Sequence, residues 1–353
     1  MPSSCSSDYE LIVGNANRRF SGVTSTMLQT LQYQRKLMPV AVLGGHHLPK
    51  GICVVTFWHL ATGLRKPLPD GRWRVFHARR NNEMIQALVL KYLFRAKVRI
   101  VFTSTAQRYH TGFTRWLMSK MDAVISTCTA AASYLREPPA KLIPHGIRSE
   151  LYSPAENRQQ VLSELGVEGV QAIGIFGRVR PQKGVHLFVR AAIVLLPSHP
   201  GTVALIVGAI TSENEEFVKQ LKHEITQAGL QQRIRFLGER PFDELPKLFR
   251  AMSVVCALSR NEGFGLTVLE AMSSGVAVLA TDAGAWRDIV REGLDGWVVP
   301  TEDSQAINST LGTMLDKPEK TLAMGRQGRE RVLSHYTIER EARELVMFFR
   351  SLQ

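Results

Sequence analysis

The sequence predicts an α/β chain of two domains, each a parallel sheet with helices on both faces. Three observations carry this. Short apolar runs alternate with helical stretches along most of the 353 residues, the pattern of repeated βαβ units. The length suits two domains of ordinary size. The charge also divides: residues 1–149 hold 21 Lys and Arg against 6 Asp and Glu, a balance of +15, while residues 150–353 balance at −2.

Composition narrows the classes. A hydrophobic content of 44% is that of a soluble globular protein. No apolar run approaches the roughly 18 residues of a membrane-spanning helix, and Met1-Pro2-Ser3-Ser4-Cys5 lacks the basic and apolar regions of a signal peptide. Cys5, Cys53, Cys128 and Cys256 are scattered, which argues against a zinc site or a disulfide framework and fits a reducing cytoplasm. Charge kept for solubility does not explain the basic first half. Nucleic acid, an anionic membrane surface and a phosphorylated substrate remain open as its partner.

In chain order, Tyr9–Val13 reads as a first strand, followed by the loop Gly14–Gly22 and a helix from Val23 to Lys36. Arg18 and Arg19 in that loop meet either an anionic ligand or solvent. Strands follow at Val40–Leu43, Ile52–Phe57 and Arg74–His77, a helix at Glu83–Arg95, and a strand at Val98–Phe102. In such sheets ligands sit beyond the carboxyl ends of strands. His77, Arg79 and Arg80 lie at one such end, and Thr103, Ser104 and Arg108 at another. Thr114–Met121 reads as an amphipathic helix, with Trp116 either at a membrane interface or packed on the domain. A strand at Ala123–Ser126 and a helix at Ala130–Leu135 precede Pro144-His145-Gly146-Ile147. Pro154 and the polar run Glu156–Gln160 mark a linker.

The second half opens with a strand at Gln171–Phe176. The basic loop Gly177-Arg178-Val179-Arg180-Pro181-Gln182-Lys183-Gly184 and a helix from Val185 follow. Strands recur at Thr202–Val207 and Ile234–Leu237, with helices at Asn214–Ala228 and Phe242–Ala251. Val254–Leu258 reads as a buried strand and Leu266–Ser273 as a helix whose apolar face is Leu266, Leu269 and Met272. Glu262-Gly263-Phe264-Gly265 is therefore a strand-to-helix turn. Its backbone N–H groups and positive helix end converge on one spot, suiting a phosphate or a hydroxyl. Glu270 inside the helix is poorly suited to a core. Alone, Glu262 and Glu270 also fit a helix start with two solvated carboxylates. Helices from Gln305, Lys317 and Ile338 close the sequence.

Glu262 and Glu270 with Gly263-Phe264-Gly265 between them resemble the E-x7-E element of retaining family 4 glycosyltransferases of the GT-B fold. Gly177–Gly184 resembles the same family's G-R-x4-K-G element. Ser273–Gly284 resembles a third family motif, with Ala277 where Pro is usual, and Pro144–Ile147 resembles its domain crossing. The resemblance implies two Rossmann-like domains facing across a cleft, residues 1–149 binding the acceptor and 150–335 the sugar nucleotide, with helix 336–353 returning to the first domain. It implies that Arg178 and Lys183 neutralise the donor diphosphate and that Glu262 holds hydroxyls of the transferred sugar. Glu270 then holds the ribose, and Gly22, Gly263, Phe264, Gly265 and Leu266 contact the donor. His77 falls where the family carries a cleft-facing His. Thr103 stands where the family usually has another, and Thr103, Ser104 or Gln107 can donate a hydrogen bond in its place. Arg79, Arg80, Arg108 and His145 are candidates for the acceptor side.

No Asp-x-Asp occurs, so the resemblance implies no metal, fixed cations taking its place, and retention by front-face attack. Narrower runs, Arg19–Thr26, His77–Asn81 and Phe102–Ser104, resemble the lipopolysaccharide core mannosyltransferases of alphaproteobacteria. These imply GDP-mannose as donor and a lipid A–core acceptor at the inner face of the cytoplasmic membrane, reached by peripheral association. A family 4 enzyme of capsule or exopolysaccharide synthesis using UDP-glucose is the alternative. A nucleic-acid binder is the remote one, and no nucleic acid is expected, because no such binding motif accompanies the pI of about 9.8.

Overall fold

Leu11, Ile12 and Val13 are all wholly buried, yet a strand points successive side chains to opposite faces. A strand that is apolar at every position needs cover on both sides, the condition of a central strand in a parallel sheet. The structure, a computed structural model describing residues 8–19 and 21–353, meets that condition. Cys5 and Phe20 lie outside the described residues. The chain forms two units, Met1–Gly146 with Ile338–Gln353, and Ile147–Thr337.

In the first unit, strands β1 (Leu11–Gly14), β2 (Val40–Leu43), β3 (Cys53–Val55), β4 (Arg74–Ala78), β5 (Val98–Ser104), β6 (Ala123–Ser126) and β7 (Lys141–Leu142) form one sheet. Its order is β3-β2-β1-β4-β5-β6-β7, and every pairing is parallel. The pleat sorts its residues into two cores. Ile12, Phe76, Ile100 and Phe102 pack with Leu60, Met84 and Ala87 from helices Phe57–Gly63 and Asn81–Leu88. Leu11, Val13, Val75 and Val101 pack with Met27 and Leu31 of helix Gly22–Gln34 and with Leu345, Val346 and Phe349 of helix Ile338–Leu352. The buried positions of that last helix, Ile338, Glu341, Ala342, Leu345, Val346 and Phe349, follow helical spacing, so one stripe faces the sheet. Burying Phe349 alone stabilises the unit by about 1.5–3 kcal/mol.

In the second unit, β8 (Gln171–Phe176), β9 (Thr202–Val207), β10 (Ile234–Gly238), β11 (Val254–Ala257), β12 (Ala277–Thr281) and β13 (Gly296–Val299) form a parallel sheet ordered β10-β9-β8-β11-β12-β13. Helices Val185–Leu195, Glu215–Gln227 and Ser304–Asp316 supply buried residues to the core that holds Ile173, Ile206, Cys256 and Leu279. Toward the other face Phe176 stacks on Phe249 of helix Leu245–Ala251, rings 3.9 Å apart.

Each sheet therefore reverses its winding once, between β1 and β4 in the first unit and between β8 and β11 in the second. Ligands of doubly wound sheets bind outside the carboxyl ends of strands at that reversal.

Three local features depart from the sequence expectations. The strand expected at Ile52–Phe57 stops at Val55, because Thr56 caps helix Phe57–Gly63 by accepting from the His59 N–H at 3.2 Å. Helix Arg158–Glu164 occupies part of the expected linker, with Asn157 accepting from the Gln160 N–H at 3.1 Å. Cys53 is disulfide-bonded, which the scattered cysteine spacing does not predict. No described helix is long and apolar enough to cross a membrane.

Candidate functional site

At the reversal of the second sheet, the loop after β8 meets the loop after β11. Glycines make this meeting possible. Gly184 has φ +72, and a Cβ there would collide with the Leu258 carbonyl. Gly265 has φ +84, and a Cβ would enter the Trp286 indole, whose Nε1 donates to the Gly265 carbonyl at 2.8 Å. Left-handed backbone of this kind is open to glycine and strained for other residues. Two bonds fasten the loops: the Arg260 N–H donates to the Gln182 carbonyl at 2.9 Å, and Gln182 Nε2 to the Asn261 carbonyl at 2.6 Å.

The result is a small charged constellation. Lys183 Nζ and Glu262 Oε1 form an ion pair, and Ser259 Oγ donates to the same Oε1 at 2.8 Å. Arg178 is exposed, and its guanidinium meets no carboxylate among the described residues. Helix Leu266–Ser273 begins at Gly265, so its first N–H groups face the same region. One helical turn in, the Tyr152 hydroxyl donates to Glu270 Oε1 at 3.1 Å. Burial pushes Glu270 up to about 7, and the Tyr152 bond opposes it. Burial, with the Glu270 charge, raises the Tyr152 phenol far above its ordinary range. The loops after β8 and β11 thus offer an unpaired guanidinium and an ammonium shared with a carboxylate, and the helix that follows adds a carboxyl with its pKa raised to about 7. That set can take a diphosphate and hydroxyl groups together. Among the described residues no cluster of three or more His, Cys, Asp or Glu could hold a metal.

The first unit holds the remaining candidates. His77 is 1% exposed, its Nε2 lies 2.6 Å from Thr103 Oγ1, and its ring packs on Phe349 at 4.9 Å. Burial, then the Arg79 and His145 charges, holds it well below the usual histidine range, so it is neutral. Thr103 is therefore His77's partner, and Ser104 Oγ lies 3.1 Å from His110 Nε2. His145 is also buried. Its Nδ1 lies 2.8 Å from Glu341 Oε1, and Glu341 Oε2 accepts from the Gly146 N–H at 2.9 Å. These bonds tie the last residues before Ile147 to the returning helix.

The other candidates stand differently. Gly22 is exposed with open space around its Cβ direction. Beside it, Arg80 Nη2 donates to Ser21 Oγ at 3.0 Å and Thr24 Oγ1 at 2.9 Å, and Nη1 pairs with the buried Glu83. Arg79 is held through its N–H to Glu83 Oε2 at 2.8 Å, and its buried Nη1 has no hydrogen-bond partner. Arg108 is exposed and lowers His110 electrostatically, after burial. The fold brings together Gly22 with Arg80, His77 with Thr103, and Lys183 with Glu262. Sequence reasoning missed Tyr152, Ser259, Glu83 and Glu341. Tyr152 and Glu341 meet Glu270 and His145 only through the fold, 118 and 196 residues away, whereas Ser259 and Glu83 bond to Glu262, Arg79 and Arg80 within four residues, a local spacing that could have found them.

Residues 162–331 match the family model described as Glycosyl transferases group 1. The chain is 41% identical over 346 residues to the lipopolysaccharide core biosynthesis mannosyltransferase LpcC of Rhizobium leguminosarum bv. viciae, covering 98% of this chain and 97% of that one. It is 40% identical over 350 residues to LpsB, of the same description, from Rhizobium meliloti (strain 1021), covering 98% of each. Among solved structures, the C-terminal domain of a group 1 glycosyl transferase (LpcC) from Francisella tularensis is 38% identical, with TM-score 0.53, covering 55% of this chain and all of that one. Anabaena Alr3699/HepE in complex with UDP has TM-score 0.82 at 20% identity, covering 97% of this chain and 100% of that one, a likeness of fold.

Proposed function

Because this chain belongs to the group 1 glycosyltransferases, in the family of the lipopolysaccharide core mannosyltransferases and on the GT-B fold, we propose that it transfers mannose from GDP-mannose to a lipid A–core acceptor. The named activity of two relatives matched over nearly their whole length supports the sugar and the acceptor class. The observation that carries the chemistry is the Lys183–Glu262 pair beside the unpaired Arg178.

In this reading Arg178 and Lys183 receive the diphosphate, whose charge grows as it departs. Binding draws Lys183 toward the phosphates and releases Glu262 to accept hydroxyls of the mannose. Glu270 accepts from the ribose. With the donor bound, Glu262 is occupied by the mannose hydroxyls and by Ser259 rather than free as a nucleophile, so transfer proceeds on one face with retention. The anomeric carbon–oxygen bond to the diphosphate breaks and a bond to the acceptor oxygen forms on the same side. A phosphate oxygen of the leaving group takes the acceptor's proton. Positive charge comes from side chains, so turnover needs no added metal. The basic first half holds the enzyme at an anionic inner-membrane surface.

Purified protein incubated with truncated lipopolysaccharide tests this. Mannose transfer from GDP-mannose, undiminished in excess EDTA and absent with UDP-glucose, is the expected result. Transfer from UDP-glucose alone overturns the donor. Loss in EDTA restored by magnesium overturns the metal-independent chemistry.

A further inference from the structure

Three aromatic rings meet edge to face where helix Phe57–Gly63 begins and the π-helical segment Val89–Leu93 ends. Phe57, Trp58 and Phe94 have centroids 5.8, 5.9 and 5.9 Å apart. Phe57 and Phe94 are rooted against the core, and they hold Trp58 outward at 69% exposure. Tyr92 and Leu93, next in chain to Phe94, are 64% and 73% exposed. A cluster of large apolar side chains held in water by a rigid base marks an interaction surface rather than scatter.

The two segments that carry it have charge of one sign. Residues 57–66 and 89–97 contain no Asp or Glu but contain Arg65, Lys66, Lys91, Arg95 and Lys97. The Lys97 N–H donates to the Leu64 carbonyl at 2.7 Å, so the two basic segments adjoin. Lys91 is paired with Asp122, and the side chains of Arg65, Lys66 and Arg95 meet no carboxylate among the described residues. Aromatic tips ringed by cations match the headgroup boundary of an anionic bilayer: rings settle at the interface, cations reach phosphates, and each basic residue near the surface adds about 1 kcal/mol.

We propose that this patch is where the chain enters the membrane, with Trp58, Tyr92 and Leu93 inserted among the headgroups of an anionic leaflet. The inference rests on the peripheral-membrane reading above and makes it specific. It selects against the other exposed aromatic pair, Phe113 and Trp116, stacked at 6.1 Å. Neither of those rings packs into the first unit's cores.

The test is sedimentation of the full chain with phosphatidylglycerol–phosphatidylcholine vesicles at low salt, with quenching of tryptophan emission by brominated lipid. Wild type binds and is quenched. Trp58→Ser and Leu93→Ser each partition about tenfold less or weaker, and Trp58→Phe loses most of the quenching. Trp116→Ser binds as wild type. All variants transfer sugar to a delipidated, soluble acceptor at the wild-type rate, so a folding defect is visible. Equal binding by wild type and Trp58→Ser, or quenching that survives in Trp58→Phe and disappears in Trp116→Phe, overturns the patch and leaves the membrane reading intact. Wild type that ignores the vesicles overturns both.

Discussion

The proton on Glu270 offers the sharpest handle on the donor site. Burial moves this carboxyl from an ordinary 4.5 up to about 7, while the Tyr152 hydroxyl stabilises its charged form. Ribose hydroxyls donate best to the ionised carboxylate, so donor binding releases a proton. If the occupied carboxyl returns near its ordinary range, the affinity follows the ionised fraction of the free protein. That fraction is about nine-tenths at pH 8 and about one-tenth at pH 6, so GDP-mannose binds about tenfold more weakly at pH 6. GDP-mannose suits the measurement because its diphosphate has no group titrating in this interval. Calorimetry at pH 6, 7 and 8, in buffers of different ionisation enthalpy, reads the affinity and the proton together. At pH 7 about half a proton leaves per donor bound. Tyr152→Phe removes a bond to the charged form and moves the midpoint upward. Glu270→Gln flattens the profile. A flat profile in wild type, or an unchanged slope in Glu270→Gln, refutes the assignment of Glu270 to the ribose. The stability of the empty protein carries the opposite sign. A folded value above the ordinary one makes this carboxyl's contribution greatest below about 4.5 and lost as pH rises through about 7. The urea midpoint therefore declines over that window in wild type and declines less in Glu270→Gln.

Three further outcomes test the constellation itself. Arg178→Ala and Lys183→Ala each lower turnover about a hundredfold or more, as for loss of one preorganised donor. Because Lys183 and Glu262 are paired, the Lys183→Ala, Glu262→Gln double variant loses less than the product of the single losses in a steady-state cycle. Gly265→Ala lowers stability by about 2 kcal/mol or more, since its φ of +84 and the Trp286 indole both oppose a methyl group, read as a shift of the denaturant midpoint.

What the sequence made legible was local. Val40–Leu43, Gln171–Phe176, Thr202–Val207 and Leu266–Ser273 are bounded by polar or glycine signals and match their observed spans. The Gly177–Gly184 loop could be read because its parts are neighbours in chain. What stayed hidden depended on which strands lie side by side. Lys183 meets Glu262, 79 residues away, only because β11 pairs with β8. His145 meets Glu341, 196 residues away, only because the last helix joins the first unit. Helix Phe57–Gly63 escaped because Phe57-Trp58 continues the apolar run of Val54-Val55, and short apolar runs do not distinguish strand from helix. Exposure, too, is a property of the fold: Trp116 adjoins Arg115 in sequence while no Lys or Arg lies within six residues of Trp58, and only packing shows that Trp58 is the one with a rigid base.

The helix Ile338–Leu352 also sets an order of events during synthesis. Residues 8–146 emerge first, but the face holding Met27 and Leu31 waits for Leu345, Val346 and Phe349, which are made after all of Ile147–Thr337. The continuous second unit can complete its core while the first is still open on one side. The part of the chain translated earliest is therefore the part finished latest, and its uncovered apolar face is the stretch on which a nascent-chain chaperone would act.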